Sequence, residues 1–495
     1  MSAYSGITGI QHEEPLIFER AHAEPESINL PGIDAPAPKA LKGFLREKPA
    51  NIPGLSEPET VRHFVRLSQW NHGIETGFYP LGSCTMKYNP RVNEQIARLP
   101  GLAHLHPEQP LHTVQGVLSL LFDLQGWLGE ISGLPFVTLQ PAAGAHGELA
   151  GLMMIRAHLD ALGETSRRKV LVPDSAHGTN PASAALCGMR TVEIKSGADG
   201  RIDLAELKSH LDDETAALML TNPNTTGMFE SDIREICDLV HQAGGLVYGD
   251  GANLNALVGI ACPGDMGIDC LHINVHKTFS TPHGGGGPGA GPVAVNEILA
   301  PYLPVPRIAK DGDDFYLEYA AEQSIGPILG SIGQTGVLIR AAAYISAFGR
   351  EHLHKIAGDA VLNANYVLAR LKDAYHVPFP GLCKHECLLT DEEQNRHGIK
   401  TVDIAKRLID LGFHPMTVYF PLIVHGAMLI EPTETESKRT LDTFCDAMLE
   451  IAAQIEVGDI GELHAAPQKS VRSRLDETAA ARNPVLAWPE TGDDD

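Results

Sequence analysis

The sequence predicts an α/β protein: a mostly parallel sheet of about seven strands, followed by a smaller C-terminal α/β domain. Two observations carry this. Short apolar runs recur at Pro135 to Leu139, Lys169 to Val172, Thr191 to Ile194, Ala216 to Leu220, Leu246 to Tyr248, Leu271 to Val275 and Pro292 to Val295, most of them separated by stretches with helical periodicity. After residue 325 the texture changes, and Ser331 to Arg350 and Asp359 to Tyr375 read as two long helices. Shorter strands are expected near His385 to Leu389, Thr417 to Phe420 and Met428 to Ile430, with helices at Thr401 to Leu411 and Ser437 to Ile455. The resulting division is an N-terminal arm with helices over 1–110, a large domain over 111–325, a small domain over 326–464 and a tail over 465–495.

A chain of 495 residues exceeds one ordinary core, which favours two domains plus an arm. The first sixty residues are rich in proline and lack periodicity, as in an extended arm, before a helix begins near Pro58. Lys and Arg total 38 against 62 for Asp and Glu, a net charge of −24, which argues against nucleic acid or an anionic membrane surface as the main partner. The first residues show no secretory pattern, and no stretch of about 20 apolar residues occurs, so a cytoplasmic protein is expected. Eight cysteines over this length are too sparse for a disulfide scaffold. Cys383-Lys-His-Glu-Cys387 offers two cysteines and one histidine, short of the four clustered ligands of structural zinc, so no metal site is expected.

The chemistry concentrates in Leu271 to Pro292. Leu271, Ile273 and Val275 alternate with His272, Asn274 and His276, the period of a half-buried strand, and the alternation stops at Lys277 before a glycine-rich loop. Ligands bind at that edge of open α/β sheets. An ammonium drawn out of water yields the free amine more readily, and a free amine attacks carbonyls. Asp250 ends the preceding apolar run, with Gly251 and Ala252 after it. Pyridoxal 5'-phosphate needs this combination: a lysine for its aldehyde and a carboxylate against its ring nitrogen. Taken singly, each residue also suits a plain role, Lys277 at the surface and Asp250 as a cap or turn residue.

Other loops fall on the same edge. The first run leads through Gln140-Pro-Ala-Ala-Gly-Ala-His-Gly147 into a helix, where the Gly144-Ala145 turn leaves N–H groups suited to a phosphate. His146, one turn in, is placed to lie on an aromatic ring or to serve as a capping or core histidine. Asp174-Ser-Ala-His-Gly-Thr-Asn-Pro181 and Thr221-Asn-Pro-Asn-Thr-Thr-Gly227 come after the second and fourth runs, and Asn224 and Ala252 are further candidates for cofactor contact. Phe78 to Pro90 is a loop of small hydroxyl and thiol side chains with one cation, Lys87; Cys84 within it is read as a quiet small residue. Glu431-Pro-Thr-Glu-Thr-Glu436 reads as a turn ahead of the last helix.

The ordered set of motifs resembles the second subunits of the two-subunit glycine dehydrogenase (decarboxylating), the P-proteins of the glycine cleavage system. It comprises Tyr79 to Pro90, Gln140 to Gly147, Asp174 to Ala182, Thr221 to Gly227, Asp250 to Asn253, Asn274 to Phe279 with the glycines of His283 to Gly289, and Glu431 to Glu436. The resemblance implies a fold-type I pyridoxal-phosphate enzyme, aspartate aminotransferase-like, with Lys277 as the Schiff-base lysine, Asp250 paired with the ring nitrogen and His146 stacked on the ring. It implies a first subunit as partner, in an αβ or α2β2 assembly. It implies decarboxylation of glycine with transfer of the aminomethyl group to the lipoyl arm of the H-protein, and His276 and His146 are candidates for handling protons. Another fold-type I activity would want an arginine for a second carboxylate, and none stands out in these loops. A silent scaffold subunit is the third reading, opposed by the intact Lys277 and Asp250.

Overall fold

The computed structural model describes residues 14–20, 43–45, 54–284 and 289–487. Most of the proline-rich arm, the centre of the glycine run and the acidic end of the tail lie outside the described residues. The chain divides into two compact units, one of Met1–Thr76 with Ala465–Asp495 and the other of Gly77–His464.

In the first unit the helix Glu57–Gln69 carries His63 and Arg66 on one side, where both meet Glu14. Glu14 is buried and also faces Arg20 at 2.9 Å, so its charge is matched by cations from two segments.

The second unit holds the site. Its main sheet has the order β1-β7-β6-β5-β4-β2-β3, with β1 at Phe136–Thr138, β2 at Lys169–Pro173, β3 at Arg190–Ile194, β4 at Thr215–Thr221, β5 at Leu246–Gly251, β6 at Cys270–Ile273 and β7 at Val293–Val295. The five strands from β2 to β6 pair in parallel, and β7 runs antiparallel to both β6 and β1. All seven expected runs therefore form strands. β2, β4, β5 and β6 are buried at every residue, as parallel strands covered on both faces must be. This corrects the half-buried reading of Leu271 to Val275: His272 is buried although polar, because the Tyr248 hydroxyl sits 2.5 Å from its Nδ1. The strand also ends earlier than its pattern suggests. After Ile273 the chain turns into a short helix, Val275–Thr278, which carries Lys277 one turn past the strand end.

Register brings chemistry level. Thr221 stands opposite Asp250 and Asp250 opposite His272, so the carboxyl ends of β4, β5 and β6 form one shelf. A hairpin of β8 (Arg307–Asp311) and β9 (Asp314–Glu318) lies outside the expected strands. The two expected long helices form one run, Thr335–Leu371, broken at Gly349, whose φ of 63° and ψ of 168° leave the helical region. A second sheet, order β10-β12-β11, is built from β10 (Cys387–Thr390), β11 (Thr417–Val418) and β12 (Ala427–Ile430). Cys387 pairs with Ile430, which sets Glu386 and Glu431 beside each other at one end of that sheet.

Candidate active site

One cavity lies where the shelf meets the helix Gly144–Ala161, and Lys277, Asp250, Ala252, Gly144, Ala145 and His276 all line it. The helix begins abruptly. Ala143 is extended (φ −161°, ψ 172°) and the first intrahelical bond runs from Gly147 N–H to the Ala143 carbonyl at 2.9 Å, so the N–H groups before it open toward the cavity. Glycine at 144 leaves room for the Asn274 side chain: a Cβ there would sit 2.1 Å from Asn274 Oδ1.

Asp250 is buried at the floor. Burial by itself would raise its carboxyl, but His272, with Nε2 3.5 Å from Oδ1, and Lys277 outweigh this, and the Ala252 N–H and Asn180 Nδ2 donate to it at 2.9 and 3.3 Å. The net effect holds Asp250 below the ordinary carboxylate range, and therefore charged. Asn180 is itself fixed by donating to Glu148 at 3.0 Å, and Glu148 also accepts from Thr179 Oγ1 at 2.8 Å.

His276 is driven the other way. Burial, then the charges of His283, Lys277 and His272, lower it to about 3, so its ring is neutral and its buried Nδ1 has no hydrogen-bond partner. Thr221 Oγ1 and Asn253 Oδ1, which line the same cavity, are buried without partners as well. Unsatisfied polar atoms cost stability when buried, so such a group around one cavity marks a place for a polar ligand.

Lys277 Nζ donates to the Ser83 carbonyl at 2.9 Å. Ser83 belongs to the loop rich in small side chains. Lys87 in that loop is fully buried and donates to Glu434 Oε1 (2.6 Å), Asn255 Oδ1 (2.8 Å) and the Thr278 carbonyl (2.9 Å), so it braces the turn that carries Lys277 rather than facing a ligand. Burial pushes the Cys84 thiol up to about 11, against the opposing charge of Lys277, and leaves it protonated near neutrality.

Two expected site residues stand apart. His146 does not line the cavity: its Nδ1 turns back to accept the Ala142 N–H at 3.2 Å, the capping alternative. His177, in the loop after β2, lines the cavity along with His272 and His276, its Nδ1 2.9 Å from Thr179 Oγ1. Asn224 is also elsewhere. Its amide donates to the Gly200 carbonyl and Glu230 Oε1, both at 2.8 Å, and its Oδ1 accepts from Thr226 and Met228, so it organises its own loop. Thr221 and Thr225 of that loop reach the cavity instead, as does Asn253 after β5. These residues fall inside the same motifs, but nothing in the spacing tells which member of each motif faces inward. Glu148, buried on the helix face, had no sequence signal beyond its position after the Gly144 turn.

Comparison with known proteins places the chain in a family. Residues 33–314 match the family described as glycine cleavage system P-protein, and residues 357–473 match the glycine dehydrogenase C-terminal domain. The chain is 55% identical over 96% of its length to a probable glycine dehydrogenase (decarboxylating) subunit 2 of Exiguobacterium sibiricum, covering 97% of that protein. It is 53% identical over 98% of its length to the like-named protein of Caulobacter vibrioides, covering 94% of that one. Among solved structures, an inhibitor-bound glycine decarboxylase (P-protein) of the glycine cleavage system superposes with a TM-score of 0.71 at 22% identity, covering 83% of this chain and 93% of that chain. A NifS-like protein superposes with a TM-score of 0.58 at 14% identity, covering 76% of this chain and 100% of the other, a likeness of fold. The matches extend over nearly the whole chain, and the chain belongs to the glycine dehydrogenase (decarboxylating) subunit 2 family, the P-proteins of the glycine cleavage system.

Proposed function

We propose that this chain binds pyridoxal 5'-phosphate in the cavity at the carboxyl ends of β4 to β6, decarboxylates glycine there, and passes the aminomethyl group to the lipoyl arm of an H-protein. The observation that carries this reading is the meeting of a lysine amine, Lys277, and a charged, buried carboxylate, Asp250, beside an open helix N-terminus. The unpartnered buried atoms of His276, Thr221 and Asn253 on its wall suit a polar ligand such as this cofactor. When bound, it supplies an aldehyde for the amine and a ring that accepts the electrons left by departing CO2.

The residues divide the remaining work. Asp250 would sit against the ring nitrogen and keep it protonated, held charged for that purpose by His272 and by the Ala252 and Asn180 donors. The N–H groups at Gly144 and Ala145 would take the phosphate, and the unpartnered His276 Nδ1 is a polar atom within the same cavity. His177 is the candidate to cover the ring, in place of His146. His276, lowered to about 3 by burial and neighbouring charge, stays neutral near neutrality and resists taking up a proton, so it serves the site as a neutral hydrogen-bonding ring. A first subunit, the lipoylated H-protein and glycine are the proposed partners, and the proposed location is the cytoplasm; among the described residues no helix is long and apolar enough to cross a membrane.

Lys277→Ala tests the assignment. The variant, mixed with its partner subunit and H-protein, is expected to lose exchange of labelled bicarbonate into the glycine carboxyl. Persistent exchange, or a borohydride-fixed vitamin B6 adduct mapped to another side chain of the native chain, defeats it.

A further inference from the structure

The turn Ser83 to Thr85 is built at a cost. Ser83 and Thr85 have φ of 63° and 50°, a left-handed conformation that side chains, and β-branched ones above all, rarely adopt. Alternating conformations of this kind aim successive N–H groups into one concavity, which attracts anions. Here the chain fills the concavity itself. Ser83 N–H donates to Glu386 Oε2 at 2.6 Å, Cys84 and Thr85 N–H to Glu431 Oε2 at 3.1 and 2.8 Å, and Thr85 Oγ1 to Glu431 Oε1 at 2.5 Å.

Both glutamates are fully buried at the paired ends of β10 and β12. Burial, reinforced by Glu431, pushes the Glu386 carboxyl well up, and Glu386 Oε1 has no partner. His385, buried behind them with Nε2 3.9 Å from Glu386 and 3.8 Å from Glu431, is neutral, lowered to about 3 by burial and by the charges of Lys277 and Lys87. A core would be more stable without two buried acids and two strained residues. What the arrangement delivers is one carbonyl, that of Ser83, facing Lys277 Nζ at 2.9 Å.

We propose that Glu386 and Glu431 are positioning residues for Lys277: by occupying the N–H cradle of Ser83 to Thr85 they fix the Ser83 carbonyl as the acceptor that holds the lysine amine whenever it is released from the cofactor aldehyde. The proposal rests on Lys277 being the reactive amine. It gives the Glu431-to-Glu436 motif a role beyond a turn, since Glu431 sets the acceptor while Glu434 holds Lys87 against the Thr278 carbonyl on the same helical turn.

The test uses the full chain with its partner subunit, stripped of cofactor, and tracks acetylation of Lys277 by acetic anhydride through peptide mass spectrometry, with exposed Lys195 as internal reference. Glu431→Ala is expected to speed Lys277 labelling by about fivefold relative to Lys195, the release of one hydrogen bond of ordinary strength. Glu431→Gln, whose amide oxygen still accepts the N–H groups, should return the rate to within about twofold of native, by the same arithmetic. In the loaded enzyme Glu431→Ala should lower kcat while leaving the KM for glycine unchanged. Should Glu431→Ala fail to fold, Thr85→Ala, which removes one donor to Glu431, should shift labelling in the same direction. Equal labelling in native and Ala variants, or a Gln variant that behaves as Ala does, overturns the proposal. Borohydride mapping of the native enzyme separates the two failures: an adduct away from Lys277 defeats the functional reading, whereas an adduct on Lys277 with flat labelling defeats only the positioning role.

Discussion

His385 gives this fold a specific weakness toward acid. It is fully buried with both ring nitrogens unpartnered, and burial lowers it to about 3 from an ordinary value of 6.5. The unfolded chain therefore takes up a proton at this histidine as pH falls below the ordinary value, and the folded chain does not. More protons bound in the unfolded state means stability lost as pH falls, over the window between the two values. At about 1.4 kcal/mol per pH unit, moving from about pH 7.5 to about pH 5 costs roughly 2 kcal/mol through this side chain alone. Glu386 and Glu431 act in the opposite sense, because burial raises both, so the whole-protein curve mixes signs. The useful quantity is the difference between native protein and His385→Gln, measured from urea midpoints at both pH values. The variant should gain about 2 kcal/mol relative to native on acidification, whatever its standing at the higher pH. A gap that does not change with pH would show that His385 titrates normally and refute the reasoning.

Burial and close contact set further expected outcomes. Glu230, buried under the Asn224 loop, is raised to about 7 by desolvation despite hydrogen bonds from Asn224 and Ile202. An acid raised on folding loses stability as pH rises, so Glu230→Gln should gain roughly 2 to 3 kcal/mol on native between about pH 5 and pH 8; an unchanged gap in urea midpoints counts against it. Gly144→Ala puts a carbon 2.1 Å from Asn274 Oδ1, so the helix start or the Asn274 amide on the cavity wall must move; affinity for pyridoxal phosphate, read by absorbance titration, should fall about tenfold. His177→Ala should weaken cofactor binding by roughly fivefold, the worth of one ring-on-ring contact, while His146→Ala should leave it near native. The reverse pattern would restore His146 to the ring.

Much of the main sheet and its ligand edge was legible because parallel strands write themselves as short apolar runs, and because the residues just past a strand end are its neighbours in sequence as well as in space. Lys277, Asp250 and the Gly144 turn were found that way. The hairpin Arg307–Glu318 escaped because its strands mix charged residues with the apolar ones and are not buried throughout. His146 and His177 illustrate a second limit. Both sit near a helix start, and only the phase of the helix and the Ala142 bond decide which ring turns away. Asn224 illustrates a third, since a buried amide in a turn serves its own loop as readily as a ligand. The support of Lys277 was out of reach for another reason: Glu386 and Glu431 meet the Ser83 turn across 303 and 346 residues, and no local pattern marks a pairing that distant.

The charge balance of the cavity bears on why decarboxylation is the favoured outcome. Among the described residues that line it, Lys277 is the one lysine or arginine, and it shares the space with Glu148 and Asp250. A guanidinium set to receive the substrate carboxylate would bind the ground state well, and it would lose that interaction as CO2 leaves, so it would oppose the step. A cavity lined instead by Thr221, Thr225, Asn253 and Asn274 offers neutral hydrogen bonds that are given up more cheaply. On the proposed cofactor placement, binding energy then comes from the parts of the complex that do not change, the N–H groups at Gly144 and Ala145 and the pairing with Asp250. Introducing a cation at Thr225, as Thr225→Arg, should therefore tighten glycine or an inert carboxylate analogue while lowering kcat. A variant whose kcat rises with its affinity would show that carboxylate capture, and not carboxylate loss, limits the native site.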